Sequence, residues 1–151
     1  MADIDTACAA KVQNTTKNTI LIGDQGSEED LLRFIKEAGA DDGANGFNLI
    51  VDDGSHRNAH QLESFRVLFE HGLAPGGIYV IEDIESPDTP LCTDLQPKQR
   101  TRDQVLYWMH QLMRFPRNLE DLDLPKGLQG ITCQREACFF HKCPVDAVRC
   151  P

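Results

Sequence analysis

FNLIVDDGSHRNAHQLESFRVLFEHGLAPGGIYVIED, residues 47–83, decides the fold. It reads as an apolar strand ending in acids, a helix, a Pro-Gly-Gly turn, and a second apolar strand ending in acids. Residues 48–51 and 78–81 are too short and too rich in β-branched side chains for buried helices, so both are expected to be strands. Two strands joined by a helix make a βαβ unit, and the strands of such a unit run parallel. Parallel strands deliver their carboxyl ends to one edge of a sheet. Asp52, Asp53 and His56 are therefore expected beside Glu82 and Asp83, on the edge where open α/β sheets bind ligands. Gathering carboxylates from two strand ends is costly without a cation between them, so the pattern points to a metal site.

Working outward, residues 6–12 read as a short helix. The β-branched run at residues 19–22 reads as a strand that ends at Gly23, Asp24 and Gln25. Ser27 followed by Asp30 resembles a capping box, and Leu31, Leu32, Phe34, Ile35 and Ala38 form an apolar helix stripe. Residues 41–46 are a loop. In the central helix Ala59, Leu62, Phe65, Leu68 and Phe69 share a face. Residues 85–100 hold three prolines and no period, as expected of a long loop of the kind that often covers a site. Residues 104–115 read as a helix with Val105, Leu106, Met109, Leu112 and Met113 on one face. Residues 130–134 and 137–141 read as a terminal hairpin. With no repeat or linker, residues 1–151 are expected to form a single domain.

The chain has 151 residues and a net charge of −9. That balance argues against a non-specific binder of nucleic acid or anionic membranes, which needs clustered Lys and Arg. It suits cation binding or plain solubility. No apolar run approaches the roughly 20 residues of a membrane helix. The acidic N-terminus has no apolar core, so no secretory signal is read there and a cytoplasmic location is expected. Cys8 and Cys92 stand alone, whereas Cys133, Cys138, Cys143 and Cys150 crowd the end of the chain beside His141. Their spacing lacks the paired C-x2-C knuckles of strong zinc sites. A zinc site and disulfides are both open, next to the plainer reading of small apolar side chains near terminal strands.

Three strings carry a resemblance: Ile22-Gly23-Asp24-Gln25, then Val51-Asp52-Asp53-Gly54-Ser55-His56, then Pro75 through Asp83. In this order and separation they resemble the metal-dependent sugar O-methyltransferases of the macrocin and mycinamicin type, a branch of the class I S-adenosylmethionine-dependent methyltransferases. Asp3-Ile4-Asp5 followed by Cys8 looks like the acidic end of that family's second strand, and the terminal hairpin like its last two strands. The resemblance implies an α/β, Rossmann-like methyltransferase sheet, mostly parallel with a C-terminal antiparallel hairpin. It also implies that the first strand, its glycine-rich turn and most of the second strand are lacking, because nothing in residues 1–18 replaces them. The Gly43–Gly46 spacing precedes a strand and carries no weight.

By the same resemblance, Asp53, Glu82 and Asp83 hold Mg²⁺ or a similar divalent cation, and His56 is the general base. Asp3 would meet the ribose of S-adenosylmethionine, with Asp24 and Gln25 near its adenine. The acceptor would be a hydroxyl of a sugar or sugar-containing small molecule. Plainer roles stand beside these. Asp52 and Asp53 could cap the following helix, Asp24 could serve its turn, and Glu82-Asp83 could begin a solvated loop. His60 reads as a surface residue. A non-catalytic metal-binding module that keeps the fold without the cofactor site is the alternative function, and a zinc-dependent interaction domain a third. Losing two strands opens an edge inside the sheet. Direct pairing of the strand at 19–23 with the strand at 48–53, a homo-oligomer through that edge, or partial disorder would each answer it.

Overall fold

The computed structural model describes residues 2–40, 45–84, 100–114, 121–147 and 150. Its centre is the βαβ unit read from the sequence. Strand β3 (Phe47–Asp52) leads through helix α3 (Asn58–Val67) and a π-helical turn (Leu68–Gly72) into β4 (Leu73–Glu82). β3 and β4 pair in parallel, with Leu49 opposite Ile78 and Asp52 opposite Ile81. The Pro-Gly-Gly segment is not the turn expected. It lies inside β4, where the register slips between Phe47 and Leu49, and Gly76 takes a left-handed φ of 78° that a side chain would resist. The chain thus absorbs its extra residues as an irregularity within the strand.

The C-terminal hairpin completes this sheet. β5 (Leu128–Cys133) and β6 (Ala137–Lys142) pair antiparallel, and β6 lies antiparallel on β4, giving the order β3-β4-β6-β5. The architecture is therefore α/β with parallel and antiparallel strands. Cys133 is bonded to Cys138 across the hairpin, and Cys143 to Cys150. This corrects the zinc reading of those four cysteines, while Cys138 is also buried in the core of the terminal strands, as the plain apolar reading expected. Cys8 is free and exposed, and Cys92 lies outside the described residues.

The N-terminal elements form a separate two-stranded sheet. β1 (Ala2–Asp3) runs parallel to β2 (Leu21–Ile22), with helix α1 (Thr6–Gln13) between them. The strand expected at residues 19–22 shrinks to two residues and does not pair with β3, so direct closure of the sheet is not the arrangement adopted. Leu49 and Val51 of β3 are left 57% and 50% exposed.

Two apolar clusters hold the molecule. In the larger, the Phe65 ring meets Phe69, Tyr79, Trp108 and Phe140 at centroid distances of 4.6 to 5.2 Å. In the smaller, Leu31, Phe34 and Ile35 of α2 (Glu28–Glu37) pack with Ala40 and Val67. The Ser27 hydroxyl accepts from the Asp30 amide at 3.3 Å, so the expected cap forms. Helix α4 (Thr101–Leu112) begins earlier than its periodicity suggested. Val105 points into the core, but Leu106 and Met113 face outward, and Trp108 takes the place expected of them. The loop expected at residues 85–100 lies outside the described residues except for Arg100. Behind β4, the Lys142 ammonium donates to the carbonyls of Phe69, Glu70 and Leu73 at 2.7 to 3.0 Å, closing the π-helical turn. Burial lowers the Lys142 pKa.

Candidate functional site

The carboxyl ends of β3 and β4 lie side by side because the strands are parallel and in register. One ligand atom each from Asp53, His56 and Asp83 falls within 4.8 Å of the others. His56 Nε2 stands 3.9 Å from an Asp53 oxygen and 3.8 Å from an Asp83 oxygen. Both His56 (φ 54°) and Asp83 (φ 50°) sit in the left-handed region, the only described residues other than glycine to do so. Such outliers gather where a surrounding structure holds them for function. Among the described residues, His56 Nδ1 is buried and has no hydrogen-bond partner.

Glu82 does not join that cluster. It is exposed, and with Asp83 it lines a neighbouring open cavity of about 430 Å³ with Gln134, Arg135, Glu136 and Ala137 of the hairpin turn. The cavity depends on the hairpin, because the Ile84 amide donates to the Glu136 carbonyl at 3.2 Å. Asp3 ends β1, and its side chain accepts from the Asp5 amide at 2.9 Å. The Asp24 carboxylate accepts from the Gly26 amide at 2.8 Å, as a turn residue does. Gln25 spans the gap between the two sheets. Its amide nitrogen donates to Asp52 and Ser64, and its oxygen accepts from the Ser55 amide at 2.9 Å.

Asp52 is neither a helix cap nor part of the cation cluster. It is 8% exposed and accepts from Gln25, from the Ser64 hydroxyl, and from the Tyr79 hydroxyl at 3.1 Å. Burial pushes its carboxyl above the ordinary value, against these donors and the Gly54 amide, which pull it down. Burial and the neighbouring Asp52 charge push the Tyr79 hydroxyl well up.

Sequence reasoning missed the buried polar row of α3. Asn58, Gln61 and Ser64 recur every three residues and are each at most 2% exposed. Asn58 Oδ1 accepts from the Thr101 amide at 2.8 Å, and Gln61 Nε2 donates to the Glu82 carbonyl at 3.3 Å. One helix thereby fixes both the end of β4 and the start of α4. His60 is half-buried rather than on the surface. Its Nδ1 lies 2.9 Å from the Ser55 hydroxyl, and its ring lies where a side chain on Gly26 would reach.

No protein-family profile matches the chain. It is 47% identical over 62 residues to the mycinamicin VI 2''-O-methyltransferase of Micromonospora griseorubida, and 41% identical over 66 residues to the demethylmacrocin O-methyltransferase of Streptomyces fradiae. These stretches are 41% and 44% of this chain but only 14% and 15% of those relatives. A third similarity, 62% over 37 residues, is to the L-olivosyl-oleandolide 3-O-methyltransferase of Streptomyces antibioticus. The fold is similar to that of the MycE methyltransferase of the mycinamycin biosynthetic pathway, solved in complex with Mg, SAH and mycinamycin VI. The TM-score is 0.69 at 26% identity, and the match covers 99% of this chain and 37% of that one. In sequence and in fold alike, the chain's likeness is to the macrocin- and mycinamicin-type sugar O-methyltransferases, over part of their length.

Proposed function

We propose that this chain carries the divalent-cation and general-base half of an S-adenosylmethionine-dependent O-methyltransferase acting on a sugar hydroxyl. The observation that carries the reading is the convergence of Asp53, His56 and Asp83 at one strand edge, in a chain whose relatives methylate sugar hydroxyls. The donor set fits the group. Carboxylate oxygens suit a hard cation, which needs only one or two of them and keeps waters that substrate oxygens replace. Asp53 and Asp83 would hold it, with Glu82 reaching from the adjoining cavity wall. A cation bound there would orient neighbouring hydroxyls and make one more acidic.

His56 would then take the proton. Its Nε2 faces the two carboxylates, at 3.9 Å from Asp53 and 3.8 Å from Asp83, within reach of a hydroxyl held between them. Asp3 and Asp24 end or follow the two short N-terminal strands, on the side where the ribose and adenine of S-adenosylmethionine would lie. Gln25 lends position there rather than a free amide, since Asp52, Ser64 and Ser55 engage it. The acceptor would enter over Glu82 and the hairpin turn.

The break between β2 and β3 favours a second reading, a module that binds cation but no cofactor. Calorimetric titration with Mn²⁺ and then S-adenosylmethionine separates the two. Cation binding that is abolished in Asp53→Ala and Asp83→Ala, followed by cofactor binding, supports the enzyme. Cation binding alone supports the module. A natural chain that takes up no cation removes both.

A further inference from the structure

Asp52 and Gln25 are both spoken for in a way the cation site does not require. A carboxylate only accepts hydrogen bonds, whereas an amide side chain has one end that donates and one that accepts. Because Asp52 faces Gln25, the Gln25 nitrogen must turn towards it and the oxygen must turn away. The oxygen then meets the Ser55 backbone amide at 2.9 Å. Ser55 lies between Asp53 and His56 in the chain. The orientation of one amide therefore links a buried acid to the loop carrying the proposed base and cation ligand.

Independent features agree with this link. Ser64 and Tyr79 both donate to Asp52, which fixes the carboxylate from below. Gly54 leaves room for the amide, since a side chain there would strike the Gln25 carboxamide. Among the described residues β2 and β3 do not pair, so Gln25 reaches across a gap between the two sheets.

We infer that Asp52 and Gln25 form a positioning pair, in which Asp52 sets the Gln25 amide and Gln25 holds the Ser55 backbone so that Asp53 and His56 keep their geometry towards a cation. The inference rests on the cation reading above, and its test separates the two. Gln25→Met keeps the length of the side chain and removes its three hydrogen bonds, those to Asp52 and Ser64 and the one from Ser55. Residue-resolved hydrogen exchange is followed at the Ser55 amide, and Mn²⁺ affinity is measured by calorimetry. In Gln25→Met, Ser55 exchange rises about tenfold, and Mn²⁺ binding weakens by about tenfold, as outer partners of metal ligands commonly do. Gly54→Ala, which pushes the amide aside, gives the same signature. Asp52→Leu, which removes the acceptor that faces Gln25, weakens Mn²⁺ binding in the natural chain but adds nothing in the Gln25→Met background, because both act through one contact.

The inference is overturned if Gln25→Met leaves both readouts within about twofold of the natural chain. It is also overturned if Asp52→Leu costs as much affinity with Met at position 25 as with Gln. If the natural chain binds no Mn²⁺, the cation reading is what falls. The Ser55 exchange rates still decide whether the pair positions the loop.

Discussion

Single side chains carry unequal weight here. Phe65 touches four other aromatic rings and is 1% exposed, so truncation removes the middle of the main core. Phe65→Ala is expected to cost about 3–5 kcal/mol in denaturant unfolding, the usual range for an aromatic deleted from a packed interior. Asp30 is an opposite case, half-buried and electrostatic. The Arg33 guanidinium, and then the Asp24 amide, hold its carboxyl below the ordinary 3.8. Its folded-state value is depressed, so its contribution is present above the unfolded value and is lost as pH falls through the folded one. Comparing thermal midpoints of the natural chain and Asp30→Asn across pH should show a gap near neutrality that closes below about pH 4. Phe65 as a core residue, and the closeness of Asp53, His56 and Asp83, were legible in the sequence because their periodicity or clustering is local, whereas Asp52 and Glu82 fall outside that cluster. Asn58, Gln61 and Ser64 were not. Three polar residues at helical spacing look like a solvated face until the tertiary structure supplies the Thr101 amide, the Glu82 carbonyl and Asp52 as partners.

At the scale of elements, the hairpin is the part most dependent on covalent support. β5 and β6 meet the rest of the sheet only through β6, and their turn forms the wall opposite Asp83. The Cys133–Cys138 bond closes a loop with a sequence separation of five. For so short a loop, chain entropy gives it about 2 kcal/mol. A Cys133→Ser, Cys138→Ser variant should therefore stay folded, with its urea midpoint lowered accordingly. Unfolding of the whole domain in that variant at room temperature would contradict the estimate. The elements themselves were readable from the chain, and the exceptions have physical causes. Pro75-Gly76-Gly77 carries every local mark of a turn, yet the pairing of Leu73 with Phe47 and of Ile78 with Leu49 draws it into a strand. Leu106 and Met113 fit the helical stripe of α4, but Trp108 and Met109 fill the available space against Phe65 and Phe140.

For the whole molecule, the open side of β3 matters most. Leu49 and Val51 are exposed beside backbone groups that no neighbouring strand pairs among the described residues. Strands of this kind recruit others. Dilution of the natural chain should reveal concentration-dependent association by light scattering, and Leu49→Lys should suppress it without lowering the thermal midpoint. Association unchanged by the lysine would place the contact elsewhere. The expectation of an interrupted sheet came from comparing the order of motifs with the family pattern. The sequence could not say that β2 would turn to β1 instead of β3, because two-residue pairings leave no periodic trace. The break also divides the energy of the fold. Phe65 and its neighbours knit β4, β6, α3 and α4, whereas of β1, β2 and α1 only β2 reaches an apolar cluster, the smaller one around α2, through Leu21. On mild denaturation the N-terminal portion should therefore melt first as a unit of its own, leaving Asp53 and Asp83 still adjacent on a sheet that outlives the side proposed for the nucleoside.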